Sequence, residues 1–153
     1  MEISSLSAIS PVDGRYWKQS AELSAFFSEE ALMKYRLMVE VEYFIALCEL
    51  PLPQLAGAGQ VSRLRELYLN FTAADAQAIK AIEKTTNHDV KALEYFLKDK
   101  LSSYRLEHIK EFVHFGLTSQ DINNTAFPLA IRDAVQHSLL PHLNTRSEEH
   151  TSE

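Results

Sequence analysis

The chain has 153 residues, of which 46% are hydrophobic and 24% are charged, and its formal net charge is −6. This length is typical of about one domain, and the composition is that of a folded protein rather than a disordered one. The acidic balance argues against nucleic-acid binding, which requires a clustered basic face. We find neither an apolar run long enough for a membrane span nor a recognisable signal peptide. Because the single Cys48 excludes an internal disulfide and suits a reducing compartment, we expect a cytoplasmic protein.

Long helices are predicted throughout. Only four Gly and five Pro interrupt the chain, and no alternation of apolar and polar residues persists, so we predict an all-α fold. The first long helix should begin after Ser28, a favourable N-cap followed by two glutamates, and end near Leu50 before Pro51. Apolar residues on two of its faces predict burial between neighbours. The main stripe comprises Leu37, Val41, Phe44, Ile45 and Cys48, and the second face comprises Leu32, Tyr35 and Val39.

Apolar residues at helical spacing predict three further helices and a short fourth one. The second of these opens with Thr72 and Asp75, which resemble a capping box. The short helix should end at Gly116, because glycine commonly terminates helices. The predicted segments cover residues 61–71, 72–82, 88–101 and 109–113.

A last helix is predicted from Thr118 toward Leu143, since Thr118 and Asp121 have the spacing of an N-terminal cap. Pro128 lies about two turns into this helix and has no N–H to donate to the carbonyl of Asn124. We therefore expect a kink at Pro128.

Two segments hold more polar side chains than core packing requires, and each lies at a predicted helix start. They are Thr85–Asp89 and His114–Ala126. Hydroxyl, amide and imidazole groups beside the free N–H groups of a helix N-terminus could bind an anionic small molecule. Ordinary capping would explain much of the same pattern, with Thr118 as one cap, Asn87 or Asp89 as the other, and His88 as a surface residue. His114 could equally be a core histidine whose hydrogen bonds are satisfied.

A third polar group, Arg15 with Tyr16, follows the turn sequence at 11–14. Arginine can bind a phosphate through two parallel hydrogen bonds, and tyrosine adds a donor or a stacking face. The other interpretation is a surface arginine beside half-buried aromatics. Three such polar groups on one helical scaffold favour an enzyme.

The sequence contains no zinc-binding histidine pair, phosphate loop or dinucleotide fingerprint. A hydrolase built from Ser119, His88 and Asp89 would lack the strand-to-helix turn that exposes its serine.

The segments 4–16, 85–97 and 114–124 together resemble the adenylosuccinate lyase family of the aspartase/fumarase superfamily, in its bacterial type. The resemblance runs from residue 1 to about residue 144. It implies a helical N-terminal domain over residues 1–111. Residues 112–145 would then be the first long helix of a central helical bundle, truncated in this chain.

The resemblance also implies an activity: anti β-elimination of fumarate. The substrates would be adenylosuccinate, which gives AMP, and the succinyl-carboxamide intermediate of purine biosynthesis, with no metal or other cofactor. His88 and His114 would have supporting roles in the site. The substrate-binding residues implied by position are Arg15 and Tyr16 for the nucleotide phosphate, Asn87, His88 and Asp89 along the substrate, and Thr118 and Ser119 for a succinyl carboxylate.

The family's general acid is a histidine in a downstream Thr-His segment, and its general base is a serine on a later mobile loop. Neither segment is in this sequence, so we expect the chain to be inactive alone. The family forms homotetramers with sites shared between subunits. Without these partners, an apolar face of the last helix should be exposed, consisting of Phe127, Leu129, Ile131, Val135 and Leu139. The alternatives are a sister lyase acting on argininosuccinate or fumarate, and a non-catalytic helical interaction module.

The last eight residues, 146–153, are abruptly polar after an apolar helix. One back-translation of Arg-Ser-Glu-Glu-His-Thr-Ser-Glu resembles a common sequencing-library adapter. We therefore interpret residues 146–153 as a non-native tail and exclude them from the prediction of the fold.

Overall fold

The computed structural model describes residues 6–151, with side chains to Glu149. The all-α prediction is confirmed, because no strand occurs in this range. The α-helices are α1 (Trp17–Ser20), α2 (Ser24–Phe27), α3 (Glu29–Glu49), α4 (Arg65–Leu69), α5 (Ala73–Thr86), α6 (Asp89–Ser103), α7 (Ser119–Ala134) and α8 (Leu140–Thr151). Short 3₁₀ segments cover Ala21–Leu23, Pro53–Leu55, Val61–Leu64 and Glu107–Phe112, and a π-helical segment covers Val135–Leu139.

Helix α3 is the central element of the fold. Its predicted N-cap is confirmed, since the Ser28 hydroxyl accepts a hydrogen bond from the Ala31 N–H at 3.1 Å. Both predicted apolar faces are also confirmed. One packs in the main core with α4, α5 and α6, and the other packs through Tyr35 against Ala126 and Ala130 of α7. Burial of each large apolar side chain on these faces contributes about 1.5–3 kcal/mol.

Helices α5 and α6 pack against each other and meet at a sharp corner. The predicted capping box at the start of α5 is present, with the Asp75 carboxylate accepting from the backbone N–H and the hydroxyl of Thr72. Asn87 ends α5 in the left-handed conformation, at φ 52°, and His88 begins the next helix immediately. The corner 87–89 therefore presents the N-terminus of α6 beside the C-terminus of α5.

The segment before α7 differs from the prediction. The short helix is a 3₁₀ segment that ends at Phe112, and Val113 is already extended at ψ 133°. His114 thus lies in a loop, with a left-handed backbone at φ 60°, and not on a helix as expected. Gly116 has a left-handed backbone at φ 74°, which glycine adopts without a Cβ penalty, but the helix ends four residues before it and not at Gly116 as predicted.

Helix α7 includes Pro128, and an irregular turn follows it before α8. Helix α7 continues through Pro128, whose exposed position lets water solvate the carbonyl that proline leaves unpaired. The helical geometry changes instead at Val135–Leu139, where the Leu140 N–H bonds to the carbonyl of Val135 in a π turn. Pro141 follows directly, and its missing N–H is a physical reason for the irregular turn at this place.

The apolar face of the last helices is only partly as predicted. Phe127, Ile131 and Leu139 are about half exposed, at 48%, 55% and 51%. Leu129 and Val135 are partly buried, and Leu129 packs against the cluster around Tyr35. The prediction is therefore wrong for these two, because they lie on the side of the helix that faces the rest of the chain. No described helix is long and apolar enough to cross a membrane.

Candidate functional site

A cleft of about 550 Å³ opens at the corner between α5 and α6 and is closed on one side by α3. The cleft is lined by Asn87, His88 and Asp89, the three residues of segment 85–89 that were predicted to bind substrate. Its polar and charged lining consists of Glu29, Arg36, Lys80, Glu83, Lys84, Asn87, His88 and Asp89, and its apolar floor consists of Leu32, Met33, Ile79 and Leu93. A mixed lining of this kind, with converging polar groups over an apolar floor, is typical of small-molecule sites.

His88 is itself the N-cap of α6, a role that we had considered only for Asn87 and Asp89. Its Nδ1 accepts a hydrogen bond from the Lys91 N–H at 3.2 Å. A neutral His88 must therefore carry its proton on Nε2. Half of the side chain is exposed. His88 also lines the cleft, so a half-exposed imidazole with an Nε2–H donor is accessible to a ligand there.

Arg36 connects the cleft to α7. Its Nη1 lies 2.8 Å from Oδ2 of Asp89, and its Nε donates to Oδ1 of Asn123 at 2.8 Å. Burial alone would raise the pKa of Asp89, but the Val90 N–H and the Arg36 guanidinium hold that pKa below its usual value. Asp89 is therefore an anion near neutral pH, and it fixes Arg36 more than it binds an anionic ligand.

Two lysines supply further positive charge to the cleft. Lys80 makes ion pairs of 2.7 Å with Glu29 and Glu83, and these carboxylates raise the pKa of Lys80 to about 12. Lys84, one turn along α5, has no ion-pair partner within residues 6–149. An ammonium group without a carboxylate partner, next to the N-terminus of α6, favours binding of an anion.

Thr118 caps α7 as predicted. The Asp121 carboxylate accepts from the Thr118 N–H at 2.7 Å and from the Thr118 hydroxyl at 2.8 Å, which holds the pKa of Asp121 below its usual value. The capping interpretation is thus confirmed for Thr118, while Ser119 at the first helical position is not needed for the cap. In the described part of the chain, neither residue lines the cleft at the α5–α6 corner.

His114 lies beside the Thr118 cap and contacts α3. Its Nδ1 is 2.5 Å from Oε1 of the buried Glu40. The Tyr43 hydroxyl, one turn further along α3, donates to the carbonyl of Phe115 at 2.7 Å. Two side chains of α3 therefore fix the loop from which α7 begins.

Arg15 and Tyr16 lie outside this arrangement. The Arg15 guanidinium stacks over the Tyr16 ring, 4.6 Å from its centroid, on the exposed segment before α1. Neither residue lines the cleft within the described range. The structure thus brings Asn87, His88 and Asp89 together and leaves the Arg15 pair separate.

Sequence reasoning missed Arg36 and Glu40. Both are buried, at 8% and 0% exposure, on a helix that we treated as apolar. Together with Tyr43 they lie at positions i, i+4 and i+7, which share one face of a helix. The signal was available in the sequence, because charged residues at one-turn spacing within an otherwise apolar helix indicate buried partners.

The chemistry available in this region is recognition of an anion by hydrogen-bond donors and cations. Arg36, Lys84 and the Nε2 of His88 supply donors at the first site, and the second polar segment adds the hydroxyl of Ser119. Within the residues that the structure describes, no group of three or more His, Cys, Asp or Glu side chains could hold a metal ion.

The all-helical fold is shared with a known family of proteins. A family model described as "Lyase" matches residues 14–147, so the chain belongs to this lyase family, whose members have the helical fumarase/aspartase fold.

Its relatives are more specific. Adenylosuccinate lyase of Dictyostelium discoideum is 53% identical over 149 residues, which cover 94% of this chain. The adenylosuccinate lyases of Vibrio cholerae and Escherichia coli K12 are 44% and 43% identical, over 94% and 93% of this chain. These similarities confirm the resemblance inferred from the three sequence segments. The chain spans 32% of the length of each of these relatives.

Proposed function

We propose that this chain is the N-terminal part of an adenylosuccinate lyase. The enzyme would eliminate fumarate from adenylosuccinate, giving AMP, and from the succinyl-carboxamide intermediate of purine biosynthesis. The observation that carries the proposal is the corner at 87–89, where a half-exposed histidine and a helix N-terminus face a cleft that also holds Arg36 and Lys84. The substrate carries a phosphate and two carboxylates, and this cleft offers donors and cations for such groups.

Each part of the site has a proposed role. Asn87, His88 and Asp89 line the substrate, with Asp89 acting through Arg36. Thr118 and Ser119 bind one succinyl carboxylate; since the Thr118 hydroxyl already donates to Asp121, Ser119 and the N–H groups of α7 make the main contribution. Arg15 and Tyr16 bind the phosphate, and a second subunit can bring them to a cleft that they do not line within one chain.

The complete enzyme is proposed to be a cytoplasmic homotetramer. The half-exposed apolar side chains of α7 support this, because a face of that kind is typical of surfaces that other helices cover. We further propose a division into a domain of residues 1–111, the start of a central bundle at 112–145, and a non-native tail at 146–153. The general acid and base would come from segments outside this sequence, so the chain alone would be inactive.

A chimera tests the proposal directly. Residues 1–144 replace the matching segment of the Escherichia coli relative, which is 43% identical to this chain. We expect the purified chimera to release fumarate from adenylosuccinate and not from argininosuccinate, measured by absorbance. If a chimera elutes at the size of the parent enzyme but cleaves only argininosuccinate, the proposed substrate is wrong and argininosuccinate takes its place. One that assembles and cleaves neither would contradict a lyase site in this segment.

A further inference from the structure

Glu40 is an ionisable residue at the centre of an apolar helix. It is fully buried, and its neighbours Leu37, Val41 and Phe44 on α3 are buried in the main core. Burying a carboxyl group costs several kcal/mol unless it is hydrogen-bonded and neutralised. A leucine at this position would avoid that cost, so the acid requires an explanation beyond packing.

The hydrogen bonding of Glu40 is directed at one partner. Its Oε1 contacts His114 Nδ1 at 2.5 Å, while its Oε2 has no hydrogen-bond partner among the described residues. Burial raises the pKa of this carboxyl group, the contact with His114 opposes the rise, and the nearby carboxylate of Glu94 on α6 adds to it. A carboxyl group that tends to keep its proton also explains how an unpartnered Oε2 is tolerated, because a neutral oxygen costs less to bury than a charged one.

The contact fixes the direction of the imidazole ring. With Nδ1 turned toward α3, Nε2 lies on the far side of the ring and faces away from Glu40. When Glu40 keeps its proton, it donates to Nδ1 and the imidazole proton resides on Nε2. When the shared proton moves to Nδ1, the ring becomes a cation that again has an Nε2 proton. Both arrangements offer an outward donor.

This donor is held beside the start of α7. His114 precedes the N-cap Thr118 by four residues, and its carbonyl accepts a hydrogen bond from the Leu117 N–H at 3.2 Å, so the residue lies in the turn that leads into α7. The backbone of His114 is left-handed at φ 60°, which is strained for a residue with a side chain by about 1 kcal/mol. The loop is tied to α3 at a second point by Tyr43 and the carbonyl of Phe115. Two contacts with α3 therefore hold His114 and the following residue in this conformation.

We propose that Glu40 is a positioning residue for substrate binding, which holds His114 so that its Nε2–H donates to the carboxylate bound at Thr118 and Ser119. This inference rests on the proposed function and adds to it a residue of the core that does not itself touch substrate.

The test compares two variants in the chimera described above. In Glu40→Gln, an amide N–H replaces the carboxyl O–H toward Nδ1, whereas Glu40→Leu removes the contact and keeps the volume. We expect Glu40→Leu to raise KM by about tenfold or more, which is the equivalent of one lost charge-assisted hydrogen bond. The change in kcat should be smaller. In the Glu40→Gln variant, KM should stay within about threefold of the value for the unmodified chimera. Glu42→Gln, at a carboxylate of the same helix that pairs with Arg65 and Tyr68, is the matched control and should leave KM unchanged.

The same proposal has a readout that needs no activity. In the 153-residue chain, acylation of His114 by diethyl pyrocarbonate, followed by peptide mass spectrometry, should become several-fold faster in Glu40→Leu and not in Glu40→Gln. Exposed His108 serves as the internal reference. Equal acylation rates in the unmodified chain, Glu40→Leu and Glu40→Gln would overturn the proposal. The same KM for the Glu40→Leu and Glu40→Gln chimeras would also overturn it. If the chimera cleaves argininosuccinate instead, the KM comparison is made with that substrate, so failure of the proposed function leaves this test intact. If the chimera is inactive, the acylation rates decide.

Discussion

The Arg36 guanidinium lies 2.8 Å from the Asp89 carboxylate, through Nη1 and Oδ2, and so connects the middle of α3 to the first residue of α6. Among the described residues the same guanidinium pairs with no other carboxylate, and its Nε donates to Oδ1 of Asn123 in the second turn of α7. One buried side chain thus sets the relative position of the two helix starts that carry the predicted site residues.

Replacing Arg36 by Met should lower the free energy of unfolding by about 2–3 kcal/mol, because Asp89 and Asn123 lose a charged partner in a partly buried place. Urea unfolding followed by circular dichroism measures this change. Arg132→Met is the matched control, since Arg132 is 54% exposed and its ion pair is with its sequence neighbour Asp133. We expect the control to change stability by less than about 0.5 kcal/mol. If the two variants lower the free energy of unfolding equally, the buried contacts of Arg36 contribute no more to stability than an exposed ion pair.

His88 combines a capping role and a proposed substrate role, and two variants separate them. In His88→Asn the new side chain can cap α6, so stability should be kept, whereas His88→Ala should lose about 1 kcal/mol. In the chimera, both variants should lose most of the lyase activity, because neither has the Nε2 donor. Denaturation and fumarate release are measured on the same preparations. If the His88→Asn chimera is active, His88 serves only as the N-cap of α6 and has no role in substrate binding.

Arg15→Ala in the chimera should mainly raise KM, because a phosphate contact made equally in the ground state and the transition state contributes uniform binding. Arg15→Lys should recover only part of the effect, since lysine lacks the paired donors of arginine. Arg63→Ala is a suitable control, because Arg63 also stacks on a tyrosine, Tyr104, away from the proposed site. An unchanged KM for Arg15→Ala would exclude the phosphate role.

Acid should destabilise the chain partly through Glu94. Burial alone would raise the pKa of Glu94, but hydrogen bonds from Lys91 and Lys98 outweigh burial and hold the pKa below its ordinary value of 4.5. A carboxyl group with a lowered pKa in the folded state contributes stability that is present above pH 4.5 and is lost as the pH falls through the folded-state pKa. Glu94→Gln should therefore show a shallower decline in unfolding free energy below that pH.

The control for this acid effect is Glu111→Gln. The carboxylate of Glu111 also contacts Lys98 but is 73% exposed, where water and salt screen the pair. We expect its acid decline to match that of the unmodified chain. A decline of the same steepness in the Glu94 variant would contradict the prediction.

The isolated chain should self-associate through the exposed apolar side chains of α7. Replacing Phe127 and Ile131, which are about half exposed, by Glu should reduce the association measured by sedimentation velocity. The double variant Tyr95→Glu and Leu69→Glu places the same charges at exposed apolar residues of other helices. If this control dissociates the chain equally well, added charge and not the α7 face is responsible.

The helix boundaries were predictable because their signals are local. Ser28, Thr72 and Thr118 each precede a helix as a cap, and Gly116 adopts the left-handed backbone expected of it. A cap needs only the residues within one turn, so its chemistry can be read from consecutive positions. His114 was misplaced on a helix because its conformation depends on a distant partner, Glu40.

The all-α class, most helix starts and the polar segments at 85–89 and 114–126 were predictable from sequence alone, and its motifs indicated the lyase family. The packing of the helices was needed to show that His88 caps its own helix, that Arg36 pairs with Asp89 and that Glu40 contacts His114. Short-range hydrogen bonds and apolar periodicity depend on neighbours a few positions apart. The choice of partner for a buried charge depends on which helices pack together, and the residues it joins, such as 36 with 89 and 40 with 114, have no fixed spacing in sequence.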